Sequence, residues 1–146
     1  MIAIGSDHGG YALKEEIKSW LSQQGYAFRD FGCDSTASVD YPDYGKAVAQ
    51  AVAGGECEKG LLICGTGIGI SIAANKVKGI RAACCSDCFS AEMTRRHNDA
   101  NILCMGGRVV GPGLALKMVE LFLTTEFEGG RHANRVAKIT QIEEEQ

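Results

Sequence analysis

The sequence predicts a single α/β domain over residues 1–146, in which helices cover both faces of a five-stranded parallel sheet. Short apolar runs alternate with amphipathic segments along the whole chain. Each pair of consecutive apolar runs is separated by enough residues for a helical crossover, and right-handed crossovers place helices on the faces of a parallel sheet. The length of 146 residues suits one domain, and no internal repeat or linker interrupts the alternation.

The first half of the chain is predicted to contain two strands and two helices in alternation. The first strand is apolar, and the helix after it carries apolar residues at helical spacing until Gly25 ends it. The second strand alternates in polarity. After a loop at 32–41, Pro42 suits the start of a helix that Gly54 and Gly55 end. The predicted elements cover residues 2–6, 12–24, 26–31 and 43–53.

The second half is predicted to contain three more strands, each followed by a helix. The third strand runs into a glycine-rich turn, Pro112 opens the helix after the fifth strand, and a C-terminal helix follows Gly129 and Gly130. These elements cover residues 61–64, 68–77, 80–85, 87–96, 102–105, 112–126 and 132–142.

We predict the strand order 2-1-3-4-5, which places a topological switch point between strands one and three. Ligands of such sheets bind beyond the carboxyl ends of the strands at that point. The loops 6–10 and 64–67 would meet there, and both are rich in chemically active residues. The topology therefore predicts a binding site between these two loops.

Composition excludes several classes of protein. The net charge of −3 argues against a general nucleic-acid binder, which would carry a basic excess. The apolar runs are shorter than the roughly 20 residues that span a bilayer, and Met1 leads into an apolar strand without a basic segment. Seven cysteines, mostly in apolar runs, suggest reduced thiols. We expect a cytoplasmic protein that binds neither membrane nor nucleic acid.

The segment LLICGTGIGIS at 61–71 holds the strongest chemical signal. Glycine backbone approaches a ligand closely, and N–H groups at the start of a helix can converge on one negative charge. The glycines are Gly65, Gly67 and Gly69, with Thr66 and Ile68 between them. Cys64 stands before this turn, a position that favours the reactive thiolate. A base beside an oxyanion trap suggests chemistry in which charge develops on oxygen, although a buried cysteine before a tight turn remains the alternative.

The glycine-rich turn departs from three well-known loops. It lacks the G-x-G-x-x-G spacing of dinucleotide folds and follows the third strand instead of the first. No Gly-Lys-Ser/Thr follows it, as a P-loop would require. Ile70 stands six residues after Cys64, where a cysteine phosphatase would need arginine.

The three histidines lie in polar surroundings instead of apolar runs: His8 follows Asp7, His97 lies within RRHND, and His132 follows Arg131. No pair has metal-ligand spacing, and the single Cys-x-x-Cys at 85–88 lacks the second half-site that zinc needs. We therefore predict no metal and no cofactor.

Arg131 and Arg135 share one helix face, and no acidic residue stands four positions from either of them. Such a pair either forms a solvated basic face or binds an external dianion such as phosphate. Arg108 could add a third basic group.

Six segments in order resemble the family of type B ribose-5-phosphate isomerases, which also contains isomerases of allose 6-phosphate and galactose 6-phosphate. The likeness runs along nearly the whole chain, and the six together are highly specific. The segments are GSDHGGYALK at 5–14, DYPDYG at 40–45, LLICGTGIGISIAANKVKGIRA at 61–82, RRHNDANIL at 95–103, GGRVVG at 106–111 and EGGRHANRV at 128–136.

The resemblance implies a Rossmann-like fold and the metal-free interconversion of ribose 5-phosphate and ribulose 5-phosphate. Cys64 would move a proton between C1 and C2. His97 would protonate the ring oxygen and open the furanose, with help from Asp7. The Thr66 hydroxyl and the backbone of 65–69 would hold the enediolate.

The resemblance also implies the substrate contacts and the assembly. Family members are homodimers, sometimes paired into tetramers, with active sites at the subunit interface, so that residues near His97 and Arg108 would come from the neighbouring chain. Some relatives place a glutamate base at the position of Ile70, so this chain would belong to the branch with a thiol base. The implied sugar and phosphate ligands are Asp7, His8, Tyr41, Asn98, Arg108, Arg131 and Arg135.

Three alternatives remain on the sequence alone. The first is the same chemistry on a hexose 6-phosphate, since sequence does not give the pocket volume. The second is a non-catalytic sugar-phosphate-binding module, which would not need a poised thiol and an imidazole. The third is a thiol redox enzyme, for which the Cys-x-x-Cys at 85–88 is the support.

Overall fold

The computed structural model describes residues 1–146 and contains one five-stranded parallel sheet between two layers of helices. A single turn of 3-10 helix, His8–Gly10, precedes the first α-helix. The strands are β1 (Ile2–Ser6), β2 (Phe28–Asp30), β3 (Lys59–Cys64), β4 (Ala82–Cys84) and β5 (Ile102–Gly106). The helices are α1 (Tyr11–Gln23), α2 (Tyr41–Ala53), α3 (Ile68–Ala74), α4 (Cys88–Asn98), α5 (Pro112–Thr124) and α6 (Arg131–Glu144).

The strand order is β2-β1-β3-β5-β4, so the predicted order 2-1-3-4-5 is wrong in its last two places. Leu103 of β5 pairs with Leu61 of β3 on one side and with Ala83 of β4 on the other. Every residue of β5 is buried, as an inner parallel strand requires, whereas β4 is three residues long and partly exposed. The predicted switch point is confirmed, because β1 pairs with β2 and β3.

Alternate residues of the inner strands face the two helical layers. One layer contains α1, α4 and α5, and the other contains α2 and α3. Along β3, Leu61 and Ile63 pack into the first core, and Leu62 and Cys64 pack into the second. Cys64 therefore ends its strand on the side of α2 and α3.

Several element boundaries differ from the predicted ones for local reasons. α3 ends at Ala74 because the Asn75 side chain pairs with the backbone N–H and C=O of Ala82. α4 begins after Asp87, whose carboxylate accepts the Ser90 N–H at 2.7 Å. α4 continues to Asn98. His97 and Asn98 thus lie in the last helical turn and not in a loop.

The predicted C-terminal helix is confirmed as α6, which packs beside α4 and buries none of its own residues. This position leaves α6 outside the three layers, with its charged side chains on the surface. None of the six α-helices combines the length and the apolar character that crossing a lipid bilayer requires.

Candidate active site

The two loops that the topology places at the switch point are in contact. The Asp7 N–H donates to the Ile63 carbonyl at 3.2 Å, which joins the end of β1 to the end of β3. A Cβ on Gly10 would overlap the backbone of Ile63, so only glycine allows this approach. The predicted meeting of the loops 6–10 and 64–67 is therefore present in the structure, at the edge of the sheet where the strands end, which we name the carboxyl edge.

Cys64 is the last residue of β3, and its side chain faces the turn that follows. The Gly67 N–H donates to the Cys64 Sγ at 3.1 Å. This hydrogen bond holds the sulfur against the backbone of the turn. Cys64 is only 5% exposed, so a substrate atom must enter the turn to reach it.

The turn after Cys64 depends on a glycine at its centre. Gly67 has a φ of 82°, and a Cβ there would lie 2.6 Å from the carbonyl carbon of Met105. β5 therefore forms the floor of the turn. The Ile68 N–H donates to the Thr66 hydroxyl oxygen at 3.2 Å, and Thr66 itself is exposed. The backbone from 65 to 69 is thus held in place with Thr66 facing solvent beside the thiol.

Arg108 and Tyr41 border the same turn. The Arg108 N–H donates to the Gly65 carbonyl at 3.1 Å, and the Arg108 guanidinium lies over Gly65. The Tyr41 ring lies against Gly69, where a Cβ would come within 2.7 Å of it. The resemblance grouped Arg108 with residues of the neighbouring chain, whereas the structure places it beside the Cys64 turn of its own chain.

Asp7 and His8 occupy the opposite wall. The Asp7 carboxylate accepts the Gly10 N–H at 3.1 Å and is 7% exposed. The His8 Nδ1 accepts the Val39 N–H at 3.2 Å. An imidazole nitrogen that accepts carries no proton, so in the neutral ring the proton lies on Nε2. His8 therefore presents an N–H donor on its free side.

The remaining predicted residues lie at the other end of the strands, which we name the amino edge. Arg81, directly before β4, donates from Nε to the Asn98 carbonyl at 3.0 Å. The Asn101 carbonyl accepts the Gly60 N–H near the start of β3 at 2.9 Å. α4 spans about 16 Å between the two edges. His97 and Asn98 are therefore separated from Cys64 of the same chain by the length of the sheet.

His97 is stacked on His132 of α6, with ring centroids 4.3 Å apart and planes inclined by 12°. Glu128 lies 3.5 Å from the His132 Nε2. The sequence analysis did not include His132 or Glu128 in the site. Helical spacing could not have indicated the pair, because Glu128 precedes α6. The stack places the start of α6, and with it Arg131 and Arg135, beside His97.

The potential ligand atoms of His97, Glu128 and His132 lie within 4.8 Å of one another. Two imidazoles bind one ion when their in-plane lone pairs converge on it. The nearly parallel rings of His97 and His132 direct their lone pairs along parallel planes instead. The arrangement suits a stacked pair better than a tetrahedral metal centre.

Arg108, Arg131 and Arg135 are the arginines without an ionic partner. No carboxylate lies within 4.0 Å of any of the three. The other four arginines each form at least one ion pair, and they are Arg29, Arg81, Arg95 and Arg96. The cations that sequence analysis selected as phosphate ligands are thus the guanidinium groups left free for an external anion.

Cys85, the first cysteine of the pair at 85–88, does not have the character of a redox thiol. All seven cysteines are free. Burial raises the pKa of the Cys85 thiol to about 11, and Cys84 and Asp87 add to this effect. A thiol that stays protonated at neutral pH is a poor nucleophile, so Cys85 is poorly suited to attack a disulfide.

The chain matches the family model described as Ribose/Galactose Isomerase over residues 2–139. It is 53% identical to ribose-5-phosphate isomerase B of Escherichia coli, with 98% of this chain and 96% of the relative covered. It is 43% identical to a D-erythrulose-4-phosphate isomerase of Pectobacterium atrosepticum, with 99% and 96% covered. The solved structure of Clostridium thermocellum ribose-5-phosphate isomerase B superimposes with a TM-score of 0.98 at 60% identity, with 99% and 97% covered. The chain belongs to the ribose/galactose isomerase family of sugar-phosphate isomerases.

Proposed function

We propose that this protein is an aldose–ketose isomerase that interconverts D-ribose 5-phosphate and D-ribulose 5-phosphate through an enediolate, with Cys64 as the base. The observation that carries the proposal is the Cys64 thiol, which accepts the Gly67 N–H at 3.1 Å inside a glycine-rich turn. Proton removal next to a carbonyl creates an enediolate, and one oriented donor is worth about 3–4 kcal/mol to such a charge. A base and oxyanion donors in one turn match the needs of this reaction.

The proton transfers follow from these positions. The Cys64 thiolate takes the proton from C2 of the open-chain aldose, and electron density moves onto the carbonyl oxygen at C1. The backbone of 65–69 and the Thr66 hydroxyl hold the enediolate. The thiol then returns the proton to C1 while the hydroxyl proton of O2 passes to O1, so that O2 becomes the carbonyl and O1 the hydroxyl of the ketose. No atom is lost or gained, so the reaction needs no redox cofactor.

The furanose ring must open before this step. His97 protonates the ring oxygen while the C1–O bond breaks, and Asp7 accepts the proton of the anomeric hydroxyl. Within one subunit His97 lies at the amino edge, whereas Asp7 lies at the carboxyl edge. The two groups can act on one sugar only if a second subunit supplies His97.

We therefore propose a homodimer in which the amino edge of one subunit closes the carboxyl edge of its partner. The closing surface would bring His97, Asn98, Arg131 and Arg135 to the Cys64 turn of the other chain. Large apolar side chains around that turn are exposed, as expected of a surface that a partner covers. They are Ile68 (55%), Ile72 (57%), Phe89 (73%) and Val109 (58%).

The phosphate would bind away from the reacting carbons. Arg131 and Arg135 are exposed and lack a carboxylate partner, and the first turn of α6 holds them beside His97. Binding energy from a remote dianion positions C1 and C2 over the base. Since a thiolate base must stay reduced, we place the enzyme in the reducing cytoplasm.

Replacement of Arg135 by alanine should raise the KM for ribose 5-phosphate at least about tenfold, because one charge-assisted contact is worth about 1.5–3 kcal/mol. We expect kcat to change far less, since the phosphate does not react. Steady-state kinetics measure both constants. Lys138→Ala, which removes another cation of α6 without a carboxylate partner, is the matched control and should leave KM unchanged. An unchanged KM in Arg135→Ala would refute the phosphate role of Arg135.

Direct assay of the wild-type protein tests the proposal as a whole. We expect ribulose 5-phosphate to form from ribose 5-phosphate with a chelator present. Allose 6-phosphate and galactose 6-phosphate are parallel substrates because the family model names galactose. D-erythrulose 4-phosphate is another because a relative acts on it. Turnover of one of these alone would retain the mechanism and change the substrate. Turnover of none would contradict the proposal and favour a non-catalytic binding module.

A further inference from the structure

Lys14 is a fully buried cation to which the mechanism above gives no role. Its side chain is 0% exposed, and Nζ lies 2.7 Å from each Asp30 carboxylate oxygen and 2.7 Å from the Cys33 carbonyl oxygen. An ammonium group has three donors, so these three acceptors satisfy it completely. Burial of a charge is unfavourable unless the charge is fully paired. The groups that pair with Lys14 are therefore held in fixed positions around it.

The contacts of Lys14 hold the start of the loop 31–40, which connects β2 to α2. The Asp30 carboxylate accepts the Gly32 N–H at 2.8 Å, and the Cys33 N–H donates to the Ser6 carbonyl at 2.9 Å. Burial by itself would raise the pKa of Asp30, but hydrogen bonds from Lys14, Lys18 and Gly32 lower it overall. Asp30 therefore stays ionised at neutral pH, and the start of the loop is fixed against the end of β1.

The other end of the same loop contacts the active site. The Val39 N–H donates to the His8 Nδ1 at 3.2 Å, and two residues later Tyr41 covers Gly69. Residues 34–38 lie between the two anchors and are all exposed. The position of the Val39 N–H therefore depends on the anchored start of the loop and on α2 at its end.

We propose that Lys14 is a positioning residue for the isomerase reaction: by fixing Cys33 it holds the loop 31–40 so that the Val39 N–H orients His8 toward the substrate. The inference rests on the proposed function, in which His8 binds the sugar phosphate. In this arrangement the Nδ1 of His8 is occupied by the backbone, and the Nε2–H is directed to the ligand. Lys14 acts only through the loop and does not touch the substrate itself.

The test compares Lys14→Met with Lys18→Met. Lys18 also contacts Asp30, at 2.8 Å, but it is partly exposed and makes no bond to Cys33. Lys14→Met should raise KM about five- to tenfold, the loss of roughly one hydrogen bond, with kcat within about twofold of wild type. Lys18→Met should leave both constants unchanged. Val39→Pro removes the donor N–H and keeps Lys14. It should raise KM to the same extent, and it serves as the test if Lys14→Met fails to fold.

Amide hydrogen exchange followed by NMR separates positioning from mere structural support. In Lys14→Met the Val39 amide should exchange at least about tenfold faster than in wild type, while the Leu62 amide in the core of the sheet keeps its protection. Equal acceleration at Val39 and Leu62 would make Lys14 a purely structural residue and overturn the proposal. An unchanged KM in folded Lys14→Met or Val39→Pro would also overturn it. If wild type turns over none of the sugar phosphates, the proposed function fails, and the exchange data still decide whether Lys14 holds the loop.

Discussion

Replacement of Cys64 by alanine should lower kcat for ribose 5-phosphate by about 10²- to 10⁴-fold, the usual contribution of a positioned general base. The loss follows from position, because the Cys64 Sγ is the thiol that lies within the glycine-rich turn and accepts the Gly67 N–H. In D₂O the variant should also fail to exchange the C2 proton of the aldose for deuterium. Both the rate and the exchange can be followed by proton NMR.

Two further observations make the Cys64→Ala result specific. Cys84→Ala is the matched control: its Sγ lies 3.8 Å from the Thr66 carbonyl oxygen, beside the same turn, but on the exposed edge strand. It should retain the activity of wild type. Calorimetry should show that Cys64→Ala still binds ribose 5-phosphate, since the arginines are untouched. Isomerisation within about tenfold of wild type would refute a thiol base, given the expected size of the effect.

The sequence predicted the carboxyl edge of the site well because the rule behind it is general. The carboxyl ends of parallel strands meet at one edge, so the end of the first strand and the turn after the third had to lie together. The glycines of that turn could be recognised for the same reason, since Gly67 has a positive φ and lies on the backbone of Met105. At the carboxyl edge, the local sequence and the sheet topology therefore indicate the same site.

The sheet order and the amino edge depend on contacts that periodicity does not reveal. The run 80–85 is almost as apolar as the fifth strand, but side chains of Asn75 and Asn101 bind the backbone at its start, and only Ala82–Cys84 remain as an edge strand. The stack of His97 on His132 joins α4 to α6, and no pattern in the sequence of either helix indicates this contact. The predicted strand order was wrong and the predicted fourth strand was too long, because contacts between distant segments are not visible in the local periodicity.

Mixing two inactive variants should restore activity if each active site combines two subunits. Cys64→Ala removes the base at the carboxyl edge, and His97→Asn removes the acid at the amino edge, so either homodimer has two defective sites. A heterodimer concentrates both defects in one site and leaves the other site complete. With random exchange of subunits, half of the dimers are mixed, and about one quarter of all sites are intact.

The recovery to about one quarter of wild-type activity is large against two nearly inactive parents, and it distinguishes the two possible arrangements. If Cys64 and His97 of one chain served the same site, every site of the mixture would carry a defect, and no activity would return.

The experiment uses equimolar variants, exchanged in mild denaturant and assayed with ribose 5-phosphate. A wild-type sample taken through the same exchange gives the reference, and a mixture of Cys64→Ala with Cys64→Ala/His97→Asn should stay inactive. Since α4 and the sheet separate His97 from Cys64 within each chain, we expect the mixture to recover activity. Failure to recover, with subunit exchange shown by native mass spectrometry, would mean that His97 does not act in the site of Cys64.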